Sequence, residues 1–165
     1  MNPSWSHFTK RIPVYTSVDR LYKAWTTRLG LESWFLRQAL FLGPNGKLRH
    51  PEEMAQRGDR YIWLWHGWPD DVTEHREVVD VNGVNFLQFQ FTGDCRVSVT
   101  IREEQDAALC ELVQEGIPLE DDPARNLFVG CGEGWTFYLS NLKSILEGGI
   151  DLRNKNMFIK GVINS

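Results

Sequence analysis

Cysteine is scarce in this chain, with only Cys95, Cys110 and Cys131 present. An odd and sparse set does not build a disulfide framework and fits a reduced, cytoplasmic protein. Positive charge is short as well: 18 Lys and Arg stand against 22 Asp and Glu, for a net charge of −4. Nucleic-acid binding needs a basic face, so the chain as a whole is not expected to bind polyanions. No apolar run approaches the roughly 18 residues of a membrane span. Residues Met1 to Lys10 lack a basic stretch followed by an apolar one, so no signal peptide is expected. Repeats, low-complexity segments and long linkers are missing too, which points to one domain. Tryptophan, by contrast, is abundant, with seven in 165 residues, and 42 % of the chain is hydrophobic. That composition excludes disorder and supports a real core. Tryptophan serves as core material and also lines concave binding sites.

The patterning changes along the chain. Phe8 to Tyr15 reads as a strand, with Pro13 confining it to an edge or an end. Thr16-Ser17-Val18-Asp19 is a helix start, and Val18, Leu21, Tyr22 and Trp25 follow at amphipathic helix spacing. Gly30 is expected to stop that helix, with a short second helix or turn over Leu31 to Phe35. Leu36 to Leu42 reads as a strand ended by Gly43-Pro44-Asn45-Gly46. Pro51 to Gly58 is compatible with a turn or two of helix. A meander then runs from Arg60 to Gln114, with Asn82-Gly83 as its best hairpin signal. On Cys95 to Arg102 the residues Cys95, Val97, Val99 and Ile101 share one face. A long helix over Asn126 to Glu147 is expected, with Asp122-Pro123 as its start and Gly148-Gly149 as its end. The order is one strand, two short helices, six strands and one long helix. That predicts an α+β layer architecture with an antiparallel sheet. The domain spans 1–149, and 150–165 is a tail packed on the domain or on a partner chain.

Signals for chemistry are few. Gly130-Cys131-Gly132-Glu133-Gly134 is not a dinucleotide-binding fingerprint, because Trp135 occupies the last required position and helical sequence precedes it. Such a glycine-rich stretch predicts a helical half that bends or packs unusually close to the sheet, or one soft enough to let a cavity open. His66, Asp70, Asp71, Glu74 and His75 crowd one turn without any metal-ligand spacing, so no metal and no cofactor are expected. The three cysteines fall on apolar parities, where a thiol is an inert small hydrophobe. Gln88, Gln90, Gln114 and Tyr138 are the inward polar candidates, and none forms a tuned acid–base pair. No catalytic residue is therefore assigned. Trp34, Phe35, Trp63, Trp65, Phe89 and Trp135 come from separate segments. They either fill a closed core or wall a ligand cavity, since aromatic side chains suit both.

The opening strand, the helix over Ser17 to Thr26 and Leu31-Glu32-Ser33-Trp34-Phe35 resemble the START-like SRPBCC, or helix-grip, superfamily. More narrowly, the chain is similar to the homologues of the activator of the heat-shock-protein-90 ATPase. The aromatic strand Gly58-Asp59-Arg60-Tyr61-Ile62-Trp63-Leu64-Trp65 carries that likeness, as does Gly134-Trp135 followed by Leu139, Leu142 and Leu146. The resemblance covers about residues 8 to 148. It departs from the family at Cys95-Arg96-Val97-Ser98-Val99-Thr100 and at Ala108, where threonine is common. It implies a curved sheet of about seven strands gripping the C-terminal helix, with an apolar cavity between them. The wall then comprises Trp34, Phe35, Trp63, Trp65, Phe89, Val99, Leu112, Trp135, Tyr138 and Leu139. The function so implied is non-enzymatic binding of a small hydrophobic or amphipathic molecule. A cyclase/aromatase-like or hydrolase-like enzyme using the same cavity, and a chaperone-regulating module, are the alternatives. Neither nucleic acid nor membrane is an expected partner, and the assembly is a monomer or homodimer. Met157, Phe158, Ile159, Val162 and Ile163 in the tail need cover from their own domain or from a second chain.

Overall fold

Strand β1 (His7–Val14) ends before Tyr15, and Ser17 turns the chain into helix α1 (Val18–Thr26) by accepting the Arg20 backbone N–H on its Oγ at 3.1 Å. The computed structural model describes residues 4–163. Thr27 closes α1 and opens α2 (Arg28–Trp34): its Oγ1 donates to the Lys23 carbonyl and accepts from Gly30 N–H, both at 2.9 Å. Gly30 therefore lies inside the second helix and does not end the first. A Cβ there would sit 2.2 Å from the Lys23 carbonyl oxygen, so only glycine lets the two helices meet this closely.

Six strands follow: β2 (Gln38–Leu42), β3 (Arg60–Leu64), β4 (Thr73–Val81), β5 (Phe86–Gln90), β6 (Arg96–Glu104) and β7 (Ala107–Glu115). Helix α3 (Leu127–Leu146) completes the order. The sheet is antiparallel and curved, with strand order β1-β7-β6-β5-β4-β3-β2. A register shift between Val78 and Asp80 interrupts the β4–β5 ladder. Val97, Val99 and Ile101 of β6 are buried while Arg96 and Arg102 are exposed, as the alternation predicts. This is the expected α+β helix-grip arrangement, and α3, at about 1.5 Å per residue, is long enough to lie across the sheet.

Two local readings are corrected. Helix α3 starts from Asn126, whose Oδ1 accepts the N–H groups of Phe128 (2.9 Å) and Val129 (3.3 Å). Asp122 instead accepts from Ala124 and closes a separate turn with Arg125, so its capping signal is spent before the helix begins. Residues 51–58 form turns, not a helix. The fully buried Asp59 carboxylate holds them by accepting from the Arg49 guanidinium and the Gln56 N–H. A buried carboxylate is tolerated only with such partners.

The tail turns back at Gly148, where φ is +81°. The buried Arg153 then donates to the carbonyls of Glu32, Ser33 and Leu36, and to Asp151. Asn141 of α3 donates to the Trp34 carbonyl at 2.8 Å and accepts the Leu152 N–H at 2.7 Å. The carbonyls at the end of α2, which have no partner within the helix, are thus satisfied from the tail and from α3. Met157, Phe158, Ile159, Val162 and Ile163 stay exposed to solvent. Asn164 and Ser165, with Met1 to Pro3, lie outside the described residues. No helix among the described residues is long and apolar enough to cross a membrane.

Candidate functional site

Helix α3 turns one apolar stripe toward the sheet. Leu127, Cys131, Trp135 and Tyr138 recur on it at spacings of three and four, and Gly130 and Gly134 share the face while adding no side chain. Opposite stand Phe35 just past α2, Trp65 just past β3, and Phe91 and Thr92 just past β5. These residues line an open apolar cleft of about 200 Å³. Drug-sized pockets run from about 300 Å³ upward, so the cleft as it stands takes a small molecule or one end of a larger one.

Two of the lining positions, Gly130 and Gly134, carry no side chain, and Gly130 is exposed. A Cβ added at Gly130 or Gly134 would meet nothing within 4 Å. Neither glycine serves a close approach of helix to sheet, which corrects the expectation of unusually tight packing there. Phe35 is the hub of the wall, with ring centroids 4.9 Å from Tyr138, 5.0 Å from Trp135 and 5.8 Å from Trp65. Such edge-on and tilted contacts hold aromatic rings in fixed orientation.

Behind Trp135, outside the cleft lining, lies Gln114 of β7, completely buried. Its Oε1 accepts the Trp135 indole N–H at 2.8 Å. Its Nε2 lies against the Cys131 and Cys95 sulfurs and makes no short hydrogen bond among the described residues. The Gln114 amide lies close enough to Cys131 and Cys95 to oppose the burial that raises both thiols, yet neither sulfur completes a well-formed hydrogen bond with it. Burial likewise raises the Tyr138 phenol, against a smaller opposing influence from Arg153. The titratable groups of the cleft, Cys131 and Tyr138, are therefore neutral at pH 7.

Of the residues expected to form the wall, Phe35, Trp65, Trp135 and Tyr138 line this cleft. Trp34, Trp63, Phe89, Val99, Leu112 and Leu139 are buried in the core cluster and do not line it. Trp63, for instance, stacks on Tyr61 at 3.8 Å and meets Phe89 edge-on at 5.1 Å. Sequence reasoning missed Phe91, Thr92 and Leu127. The one available signal was Gly130 and Gly134 at i, i+4 on an apolar helix face. A wider depression of about 740 Å³ lies against the outer side of β2–β4, where Arg60, His75, Arg76 and Glu77 line it. It is larger and lined in part by charged side chains, whereas the α3 cleft has mostly apolar walls. In the crowded turn, Asp70 pairs with Arg37 at 2.7 Å. Among the described residues no group of three His, Cys, Asp or Glu is placed to hold a metal ion.

A family model described as "Activator of Hsp90 ATPase homolog 1-like protein" matches residues 15–147. No curated protein matches the chain. Among solved structures, the protein SSP2350 from Staphylococcus saprophyticus superposes with a TM-score of 0.68 at 14 % identity, over 89 % of this chain and 96 % of that one. The Aha1 dimer from Colwellia psychrerythraea gives 0.67 at 17 % identity, over 87 % and 97 %. DynU16, from the dynemicin biosynthetic locus, gives 0.67 at 18 % identity, over 93 % of this chain and 51 % of that one. At these identities the superpositions speak to the fold alone. The family match spans most of the sequence, from just past β1 to the end of α3, and the chain belongs to the Activator of Hsp90 ATPase homolog 1-like family.

Proposed function

We propose that the protein binds a small apolar or amphipathic molecule in the α3 cleft without converting it. The observation that carries this reading is a pair of glycines: Gly130 and Gly134 stand in a helix and line an apolar cleft where side chains would fit. Each glycine inside a helix costs about 1 kcal/mol relative to alanine. The stability given up corresponds to space kept open under Phe35, Trp65 and Trp135. Binding is favoured over catalysis because no Asp, Glu, His, Lys or Arg lines the cleft, and Cys131 and Tyr138 are held neutral. A cyclase- or hydrolase-like reaction needs a group poised to move a proton near neutral pH. The likeness to DynU16, from a biosynthetic locus, suits a small-molecule ligand. We place the protein in the cytoplasm, where three free thiols are at home. We read it as a monomer or homodimer, and the Colwellia relative is itself described as a dimer.

A second reading, a protein-binding module such as a chaperone regulator, draws on the exposed Phe158 and Ile163 of the tail. One pair of variants separates the two. Gly134 lines the cleft and Gly132 does not, yet an added Cβ meets nothing within 4 Å at either. Gly134→Ala and Gly132→Ala should each stabilise α3 by up to about 1 kcal/mol in denaturant melts. Gly134→Ala alone should weaken binding of the apolar dye N-phenyl-1-naphthylamine, by about fivefold or more. Equal dye binding by both variants removes the cleft as the site and leaves the tail as the better candidate.

A further inference from the structure

The tail carries a folded knob. Its root is fixed, because Arg153 is buried and bonded to the domain. Beyond the root, two asparagines shape the chain into a turn. Asn154 Oδ1 accepts the Asn156 N–H at 3.1 Å, and Asn156 Oδ1 accepts the Phe158 N–H at 3.0 Å. The Ile159 N–H returns to the Asn156 carbonyl at 3.1 Å. Such side-chain bonds set the backbone of a turn locally. This turn leaves Phe158 95 % exposed, and Met157 and Ile159 beside it are exposed too. A shaped cluster of bare apolar side chains marks an interaction site.

The knob starts beside the α3 cleft. Arg153 donates to the carbonyls of Ser33 and Leu36, on either side of Phe35, and is close enough to act on the Tyr138 phenol. Phe35 and Tyr138 both line the cleft. A two-fold contact is isologous, so a knob and a cleft that neighbour each other can satisfy one another reciprocally across two copies. Size agrees, since the cleft measures about 200 Å³ and a cavity of about 150 Å³ takes a benzene ring. Charge agrees as well. Glu133 lies next to Gly134 and one turn beyond Gly130, on the exposed flank of the cleft, and Lys160 lies two residues beyond Phe158. Both are exposed, and neither side chain has an ion-pair partner among the described residues.

We propose that the occupant of this surface is a second copy of the chain: Phe158 of each protomer enters the α3 cleft of the other, with Lys160 set against Glu133 there. The pairing shares one premise with the ligand-binding reading, that the cleft takes an aromatic ring. It adds a regulation of that site, because ligand and Phe158 compete for the same space. The arm is short and the contact small, so the protomers pair when concentrated and separate when dilute.

Sedimentation velocity of the full chain over a wide concentration range should show a monomer–dimer equilibrium. Phe158→Ala should weaken the dimer about tenfold or more, as expected for the loss of a buried aromatic ring. Glu133→Lys and Lys160→Glu should each weaken it by about two- to fivefold, and the double variant should restore it. All three positions are exposed, so the variants should melt like the unmodified protein. N-phenyl-1-naphthylamine should dissociate the dimer and should bind the Phe158→Ala monomer. A monomer at every concentration overturns the pairing, as does a dimer that Phe158→Ala leaves intact or a double variant no better paired than the single ones. Dye binding by the Phe158→Ala monomer keeps the ligand-binding reading in each of those cases. A dimer that follows the variants while the dye binds neither form keeps the pairing and overturns the ligand-binding reading.

Discussion

The two halves of α3 are built differently. From Leu127 to Gly134 the helix carries three glycines, and Val129 and Gly130 are exposed. From Trp135 to Leu146 it buries Trp135, Tyr138, Leu139, Asn141, Leu142 and Leu146. Polar fastening is equally lopsided. Asn141 is bonded to the end of α2 and to the tail, and Lys143 donates to the Pro13 carbonyl at 2.7 Å and pairs with Glu147. The first half has the Asn126 cap at its start and the Trp135–Gln114 bond at its end. A helix held this firmly over its last three turns can leave its first two under-packed, and the cleft occupies that slack. Local stability is expected to follow the same division, since openings concentrate where buried contacts are few.

Trp135 is the joint between the halves, and its removal should have the largest effect. Trp135→Ala deletes a buried indole that packs on Trp25, Phe35 and Phe91, and it leaves Gln114 Oε1 without its donor. A loss of about 3–5 kcal/mol is expected. Denaturant melts showing less than about 1 kcal/mol would mean that the first half of α3 is not moored there at all.

The next largest effect should come from the clamp on the second half. Arg153→Met leaves the carbonyls of Glu32, Ser33 and Leu36 without their donor and separates Asp151 from its main partner. Lys155, 2.9 Å from Asp151, compensates in part, so the expected cost is about 3 kcal/mol, the low end for breaking a buried pair. Because those carbonyls flank Phe35, dye affinity should fall along with stability. A variant that melts like the unmodified protein would show that the tail only rests on the domain.

The smallest effect is a pH dependence. His66 faces Arg153, Lys155 and Arg37, with Asp151 opposing them. Burial first, and those positive charges second, lower its imidazole to about 4. An unfolded histidine titrates near 6.5. As pH falls from about 6.5 toward 4, the unfolded chain takes up a proton that the folded one refuses, so stability declines across that window and is complete above it. His66→Gln should flatten the slope. A ring titration by NMR with its midpoint near 6.5 would show that the clamp leaves this group unaffected.

The legibility of these features in the sequence follows their range. The meander was readable because alternation is local: Val97, Val99 and Ile101 show their face without reference to any other strand. The cap of α3 was misplaced because Asp122-Pro123 and Asn126 offer competing signals four residues apart, and only the backbone bonds choose between them. The cleft was half visible. Parity shows that Trp63, Phe89, Val99 and Leu112 point inward, but it does not show that other side chains cover them. Gln114 was readable as an inward polar residue. Its partner, Trp135, arrives from a helix that no pattern on β7 announces. Nothing around Arg153 in the sequence signals its role, because its acceptors lie more than a hundred residues earlier.

The pairing of β1 with β7 also has a history in time. His7 stands opposite Glu115 and Val14 opposite Ala108, so the partners are about a hundred residues apart. Closing so long a loop is entropically unfavourable and slow compared with forming the successive hairpins from β3 to β7. On the ribosome the delay is absolute, because β7 does not yet exist. At about 5–20 residues per second, the first strand waits roughly 5–20 s for its mate. During that wait it is a lone strand with both edges bare, the state most prone to pairing with a stranger. Lys10 and Arg11 in its middle and Pro13 near its end, where an N–H is missing, make it a poor template for such pairing. These residues thus guard the newborn chain as well as finish the edge of the mature sheet.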